Sequence, residues 1–278
     1  MAVVKRICVV VFLVAGVGCA STPATRGEGE PKTILTRVLC PTRDPAARRA
    51  FDAAYDAEKE RAVARAEALY KEAVQRDPGY CDAMDNLGLL LRRQGKVDEA
   101  IEWYRKSLAI QPTNRVARAN LATALRLQGR LDDALREGAI SLEQDPDDAE
   151  AHYGVGLTYL TRNEPGKALG HFERAEKLYW VQRPELTADA TLLKGVAQSR
   201  LGDCRTAVAT LESIEKARGD EPELNYALGI CALDGHREEL AKGVPEGTPW
   251  LERARTYLRR ALSAGKKIDP KLVQSLRL

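Results

Sequence analysis

"CDAMDNLGLLLRRQGKVDEAIEWYRKSLAIQPTN", residues 81–114, decides the fold. Its first half sets Met84, Leu87, Gly88 and Leu91 on one face of a helix, three and four residues apart. Gln94-Gly95-Lys96 then makes a turn that needs a glycine. The second half carries Ala100 and Tyr104 at helical spacing and runs on to Pro112. A hairpin of two such helices cannot bury its own apolar face, so it must stack on others like it. The chain supplies them. Pro78, Pro112 and Pro146 are each 34 residues apart, as are Ala66, Ala100, Ala134 and Ala168, and Gly95 and Gly129.

A period of this length with small, aromatic and proline landmarks resembles the tetratricopeptide repeat. Its first helix, A, carries a large residue, then Leu-Gly, then another large residue. Its second helix, B, carries Ala, an aromatic, Ala and Pro. Residues 81–114 match that pattern throughout. Residues 47–80 match at Ala54, Ala66, Tyr70, Ala73 and Pro78, and 115–148 at Leu121-Ala122, Leu125, Gly129, Ala134 and Pro146, with Gly138 where the aromatic belongs. Residues 149–182 have Gly156, Tyr159, Ala168, Phe172 and Ala175, with Trp180 in place of the closing proline. After an insertion around "VQRPELT" a fifth repeat spans 188–221, with Gly195, Gly202, Ala207 and Leu211. A sixth spans 222–265, with Leu228-Gly229 on its first helix and Ala254, Leu258 and Ala261 about thirteen residues late on its second. The segment 235–249 fills that gap. Residues 268–278 then form a short capping helix through Leu272, Val273 and Leu276. The resemblance implies an all-α fold over 46–278, a solenoid of about six repeats wound as a right-handed superhelix.

Ahead of the repeats, Lys5 and Arg6 precede an apolar run from Ile7 to Val17. A bilayer span needs ~20 apolar residues, so this run fits the core of a secretory signal instead. Gly16-Val17-Gly18-Cys19 resembles the bacterial lipobox, with Gly16 where leucine is usual. It implies a signal peptide over 1–18 and a lipid on Cys19. A plain signal cut near Ala20 and an uncleaved N-terminal anchor are the alternatives. Residues 19–45, rich in proline and poor in periodicity, read as a flexible tether. As a coil, residues 20–45 reach roughly 25–30 Å. Ala20 after the cysteine, rather than Asp, resembles the signal for release to the outer membrane, which places the body on its periplasmic side.

Losing residues 1–18 takes the net charge from +3 to about +1, which gives no general reason to expect nucleic acid. The chain has no G-x-S-x-G, no H-E-x-x-H and no P-loop. His152, His171 and His236 lack metal-ligand spacing, and Asp132-Asp133 and Asp147-Asp148 stand where helices begin and need no catalysis to explain them. No enzyme activity, metal or cofactor is expected beyond the lipid on Cys19.

Cys40, Cys81, Cys204 and Cys231 remain, and a secreted chain allows disulfides. Helix B of one repeat and helix A of the next are antiparallel neighbours in this family. That implies Cys204 near Cys231, and Cys40 near Cys81 where the tether folds back. Four separate thiols packed as small hydrophobes are the alternative.

In the same family the A helices line the concave face, and an Asn one residue before Leu-Gly often bonds the backbone of a bound peptide. Asn86 and Asn120 hold that place, with Asp82, Arg92, Arg93 and Arg126 flanking the groove. The Arg fork suits carboxylates or a row of carbonyls. A solvated helix face is the competing explanation. The C-terminal cluster Arg253, Arg255, Arg259, Arg260, Lys266, Lys267, Lys271 and Arg277 reads either as a surface for anionic lipid or cell wall, or as the solvated side of terminal helices.

Repeats on a lipid anchor resemble the pilotins of type IV pili, lipoproteins that help an outer-membrane secretin assemble. "EKLYWVQRPELTADATLLKG", residues 176–195, resembles their mid-chain insertion. The expectation is a protein-interaction scaffold with an envelope partner, with a scaffold for peptidoglycan hydrolases or synthases as the alternative and an enzyme framed by repeats as a remote one. Cys19→Ala should abolish acylation and leave unprocessed precursor. Labelling with a palmitate analogue reads this directly, and normal labelling of the variant would sink the lipobox reading.

Overall fold

The computed structural model describes residues 40–243 and 249–278. Every regular element among them is helical. In chain order these are α1 (Pro45–Lys59), α2 (Val63–Arg76), α3 (Cys81–Arg93), α4 (Val97–Ile110), α5 (Arg115–Leu127), α6 (Leu131–Gln144), α7 (Ala149–Thr161), α8 (Pro165–Gln182), α9 (Thr187–Arg200), α10 (Cys204–Arg218), α11 (Pro222–Ala241), α12 (Pro249–Ser263) and α13 (Pro270–Leu276). A 3-10 turn, Pro184–Leu186, joins α8 to α9. The signal peptide, Cys19 and most of the tether lie outside the described residues.

The chain divides into two compact units, the first ending at Thr158 and the second beginning at Tyr159. In the first, α1–α2, α3–α4 and α5–α6 are helix hairpins, and α2 packs on α3 and α4 on α5. Phe51, Tyr70 and Tyr80 meet at its N-terminal end, with ring centroids 5.6 Å apart for Phe51–Tyr70 and 5.2 Å for Phe51–Tyr80. Leu87, Leu91, Tyr104, Leu121 and Leu125 continue the core. The hairpins close at one point of contact. A Cβ on Gly88 would lie 2.7 Å from the Tyr104 ring, so only glycine lets α3 and α4 come this close.

The turns repeat the period in their backbone. Arg61, Gly95, Gly129 and Asn163, each 34 residues from the next, take φ of 60°, 84°, 77° and 62°. Glycine accepts this left-handed conformation freely and asparagine tolerates it, which suits Asn163 in repeat four; in repeat one Arg61 adopts it without either advantage, so the turn geometry there is imposed by the hairpin. Glu67 on α2 ties repeat one to the turn of repeat two. It accepts from Lys71 at 2.6 Å, Gln94 at 2.9 Å and Lys96 at 3.0 Å. These donors, Lys71 first, hold its carboxyl down to about 2 against the small opposing effect of burial.

The body begins earlier than the composition of the tether implies. Cys40 is joined to Cys81 with Cα atoms 5.4 Å apart. Thr42 bonds Asp77, and Asp44 caps α1 by accepting from the Ala46 amide at 2.8 Å. Residues 40–45 are therefore part of the folded unit. Local composition gives no sign of it, because the anchors come from residues more than thirty positions ahead.

In the second unit α8 packs on α9, α9 on α10, α10 on α11 and α11 on α12. Gly195 faces Leu211, and Gly229 faces Leu258, with an added Cβ at 2.5 and 2.6 Å respectively. Gly88–Tyr104 and Gly195–Leu211 are both 16 residues apart, whereas Gly229–Leu258 are 29 apart, which measures the thirteen-residue displacement of α12. Much of the segment 235–249 is helix, because α11 runs on to Ala241. Gly235 lets the Trp250 indole lie against α11 there, 3.0 Å from where a Cβ would be. Residues 244–248 lie outside the described residues. Leu276 and Ile268 are buried with Leu258 and Ala261, so α13 covers the end of the last hairpin. Cys204 and Cys231 are joined with Cα atoms 4.9 Å apart, linking the start of α10 to α11.

Two outcomes follow for the protein in solution. Nonreducing peptide mapping should recover Cys40–Cys81 and Cys204–Cys231 as cross-linked pairs. Each closes a loop worth about 3–4 kcal/mol in the loop-entropy estimate, and free thiols in the folded, oxidised protein would reject the pairing. Gly88→Ala should cost about 1–3 kcal/mol in urea denaturation, because Tyr104 must shift in a full core.

Candidate functional site

The A helices α3 and α5, which touch each other in the first unit, carry the residues singled out from the sequence. Asn86 on α3 and Asn120 on α5 occupy the same place one repeat apart, and the two helices touch. They are not equivalent chemically. The Asn86 amide donates back to the Asp82 carbonyl at 2.8 Å, which leaves its carbonyl oxygen and one N–H for a partner. Asn120 is 7% exposed and makes no hydrogen bond among the described residues. It has both an amide donor and an acceptor to offer.

The flanking arginines divide as well. Arg93 pairs with Glu58 of α1 at 2.8 Å, so it ties repeat two to repeat one. Burial lowers its pKa, and Glu58 works against that shift. Glu58 also accepts from the Tyr70 hydroxyl at 2.7 Å. The Tyr70 phenol is pushed up by burial first and by Glu58 second. Arg92 lies beside Tyr104, whose phenol is likewise raised by burial and lowered in part by that guanidinium. Asp82 and Arg126 are half-buried on the same face.

Beneath this face lies a polar cluster that the repeat pattern does not reveal. Asn114 donates to Asp85 at 2.7 Å and to Ser107 at 3.2 Å, and its side-chain oxygen caps α5 by accepting from the Ala117 amide at 3.1 Å. All three residues are buried. One repeat later Asp148 caps α7 in the same way, through the Ala151 amide at 3.1 Å, and pairs with Arg115 at 2.7 Å. Arg118 stands where repeat two has Met84. It is buried, pairs with Glu137 at 2.7 Å and donates to the Pro112 carbonyl. The signal available was Asn114 at a helix start and an arginine in an apolar column.

The histidines stand apart from one another in role. His152 contacts the Pro146 carbonyl at 3.1 Å, His171 stacks on Tyr159, and His236 is buried on α11. The C-terminal basic cluster is largely spent on the fold. Arg253 pairs with Glu212, Arg260 with Glu215 at 3.4 Å and Lys266 with Glu223 at 3.2 Å. Arg255 donates to the Leu276 carbonyl and Arg259 to the Arg277 carbonyl, both at 3.1 Å. Its acids come from α10, α11 and α12, where Glu252 pairs with Arg255 at 2.5 Å, and Lys267, Lys271 and Arg277 make no ion pair among the described residues.

Two family models, both described as tetratricopeptide repeat, match residues 51–115 and 91–157. Together they span residues 51–157, 107 of the 278 residues. No curated protein matches the chain. Among solved structures, PilF of Pseudomonas aeruginosa is similar with a TM-score of 0.60 at 16% identity, over 78% of this chain and 97% of that one. YrrB, described as a tetratricopeptide-repeat protein with an unusual peptide-binding site, is similar at 0.52 and 16%, over 75% and 98%. MamA of Desulfovibrio magneticus RS-1 is similar at 0.55 and 18%, over 65% and 99%. At these identities the likeness establishes the fold, a tetratricopeptide-repeat solenoid. Such repeats generally form non-catalytic scaffolds for protein–protein interaction.

Asn114→Ala should destabilise the first unit by roughly 2–3 kcal/mol, since it removes a helix cap and a buried donor to Asp85 together. Urea denaturation measures it. Ser107→Ala, which loses only the weaker 3.2 Å bond, should cost less.

Proposed function

We propose that the chain is a non-enzymatic scaffold, held to the outer membrane by a lipid on Cys19, that binds an extended segment of an envelope protein along α1, α3 and α5. The observation that carries this is the pair Asn86 and Asn120 on consecutive A helices, with the Asn120 amide unengaged. A strand lying across both helices would donate to the Asn86 oxygen and exchange hydrogen bonds with Asn120, at a spacing set by the repeat. The peptide-binding site described for YrrB supports a peptide as the kind of ligand. The likeness to PilF, together with the lipobox, supports assembly of an outer-membrane complex such as a pilus secretin as the setting.

The test compares partner capture from envelope extracts, and thermal melting, for wild type and Asn86→Ala/Asn120→Ala. Each lost bond costs ~0.5–1.5 kcal/mol, so the double variant should bind roughly 5- to 150-fold more weakly. Melting should change little, because Leu87, Gly88 and Leu121 make the helix packing. Unchanged capture at unchanged stability would move the binding surface elsewhere.

A further inference from the structure

The B helices α2, α4 and α6 end at Arg76, Ile110 and Gln144, each one repeat apart. By that register α8 should end near Leu178. It runs to Gln182 instead, because Trp180 stands where the closing proline stands in the earlier repeats. The extra turn is firmly held. Tyr179 and Leu186 are fully buried on either side of it, and the Arg183 amide donates to the Tyr179 carbonyl at 2.7 Å. Yet its other face is apolar and bare. Trp180 is 72% exposed and Val181 78%, the two most exposed large hydrophobic side chains among the described residues.

We infer that this turn is a membrane-contact ridge, which inserts Trp180 and Val181 into the interface of an anionic phospholipid leaflet. Three observations favour lipid over a protein partner. The pair projects as a ridge on a rigid turn, and a soft interface accepts a ridge without a complementary socket. Lys177 lies one turn back, three and four residues from the pair, is exposed and makes no ion pair among the described residues. Of the nearby acids, Glu176 pairs with Lys194 at 2.5 Å and accepts from the Thr191 hydroxyl at 2.6 Å, while Glu173, one turn before Lys177, is exposed. An indole, an aliphatic side chain and a free ammonium on one helix edge suit the boundary between headgroups and acyl chains. A groove of about 670 Å³ between α8, α9 and α10, lined by Trp180 itself with Lys177, Pro184, Thr191 and Ile214, opens beside the ridge and is where a protein segment would lie instead. The part this contact plays, fixing the orientation of a tethered body, rests on the reading of Cys19 as a lipid anchor; the contact itself does not.

The chain from Ala20 onward, without an acyl group, keeps every described residue and both disulfides. It is mixed with vesicles of phosphatidylethanolamine containing phosphatidylglycerol, and separately with phosphatidylcholine vesicles. Sedimentation and tryptophan emission are followed for wild type, Trp180→Phe, Trp180→Ala and Lys177→Gln. Wild type should sediment with the anionic vesicles and shift its emission to the blue, and brominated lipids should quench it. Trp180→Ala should weaken partitioning about tenfold. Lys177→Gln should weaken it about fivefold on anionic vesicles only. In Trp180→Phe the blue shift should vanish while binding largely persists. The inference is overturned by absence of binding to anionic vesicles, by a blue shift that survives Trp180→Phe, or by a Trp180-dependent shift that needs protein concentration or a peptide rather than lipid. Since this form has no anchor, the result is independent of Cys19.

Discussion

Everything else in the structure depends on how closely the two helices of a hairpin can approach. Gly88 against the Tyr104 ring and Gly195 against the Leu211 side chain let one helix lie on the other where a Cβ would hold them apart. At that separation each hairpin presents a flat apolar face, and stacking covers it. A small residue serves the stacking of successive repeats as well. In repeat three Gly138 stands where the aromatic belongs, and the Val155 side chain of α7, the next A helix, occupies the space a Cβ would need.

Stacking fixes the A helices side by side, and that is what gives single side chains a meaning beyond their own helix. Taken singly, Asn86 is a half-buried amide and Asn120 a buried one. One repeat apart on touching helices, they become two points of a ruler that an extended backbone can span. The buried Asp85–Asn114–Ser107 cluster serves the same end from below. It ties the end of α4, the N-terminus of α5 and the middle of α3 together, so the two rulings keep their distance. Polar clusters of this kind specify one arrangement when fully bonded.

The fold was legible because a repeat states its own pattern several times over. Prolines, alanines and glycines at a constant interval located the hairpins, and the displacement of α12 could be read from Ala254, Leu258 and Ala261 alone. What escaped was whatever depends on residues far apart in sequence. Residues 40–45 look like linker, and only Cys81 and Asp77 make them body. The C-terminal arginines look like a free patch, and only Glu212, Glu215 and Glu223 on earlier helices show them to be ties. Arg93 looked available for a ligand until Glu58 in the preceding repeat claimed it. For the candidate site, the pattern gave position but not engagement: it set Asn86 and Asn120 in register, while the difference between them lies in a bond to a backbone carbonyl. Trp180 was visible as a missing proline, but that the helix would run on and leave its face bare was not.

The Cys40–Cys81 bridge has a mechanical consequence. Were the chain held at its N-terminus by the lipid proposed on Cys19, it would be loaded whenever its partner or its surroundings moved. Without the bridge, tension would enter at α1 and peel the first hairpin from the stack, since a terminal repeat has a neighbour on one side only. With it, tension passes through sulfur from residue 40 to residue 81, and the 41-residue separation between them carries no load. The force enters at the first residue of α3, which is covered on both sides. The outermost repeat is thus spared by a bond that lies beside it, and the solenoid meets strain at an inner rung.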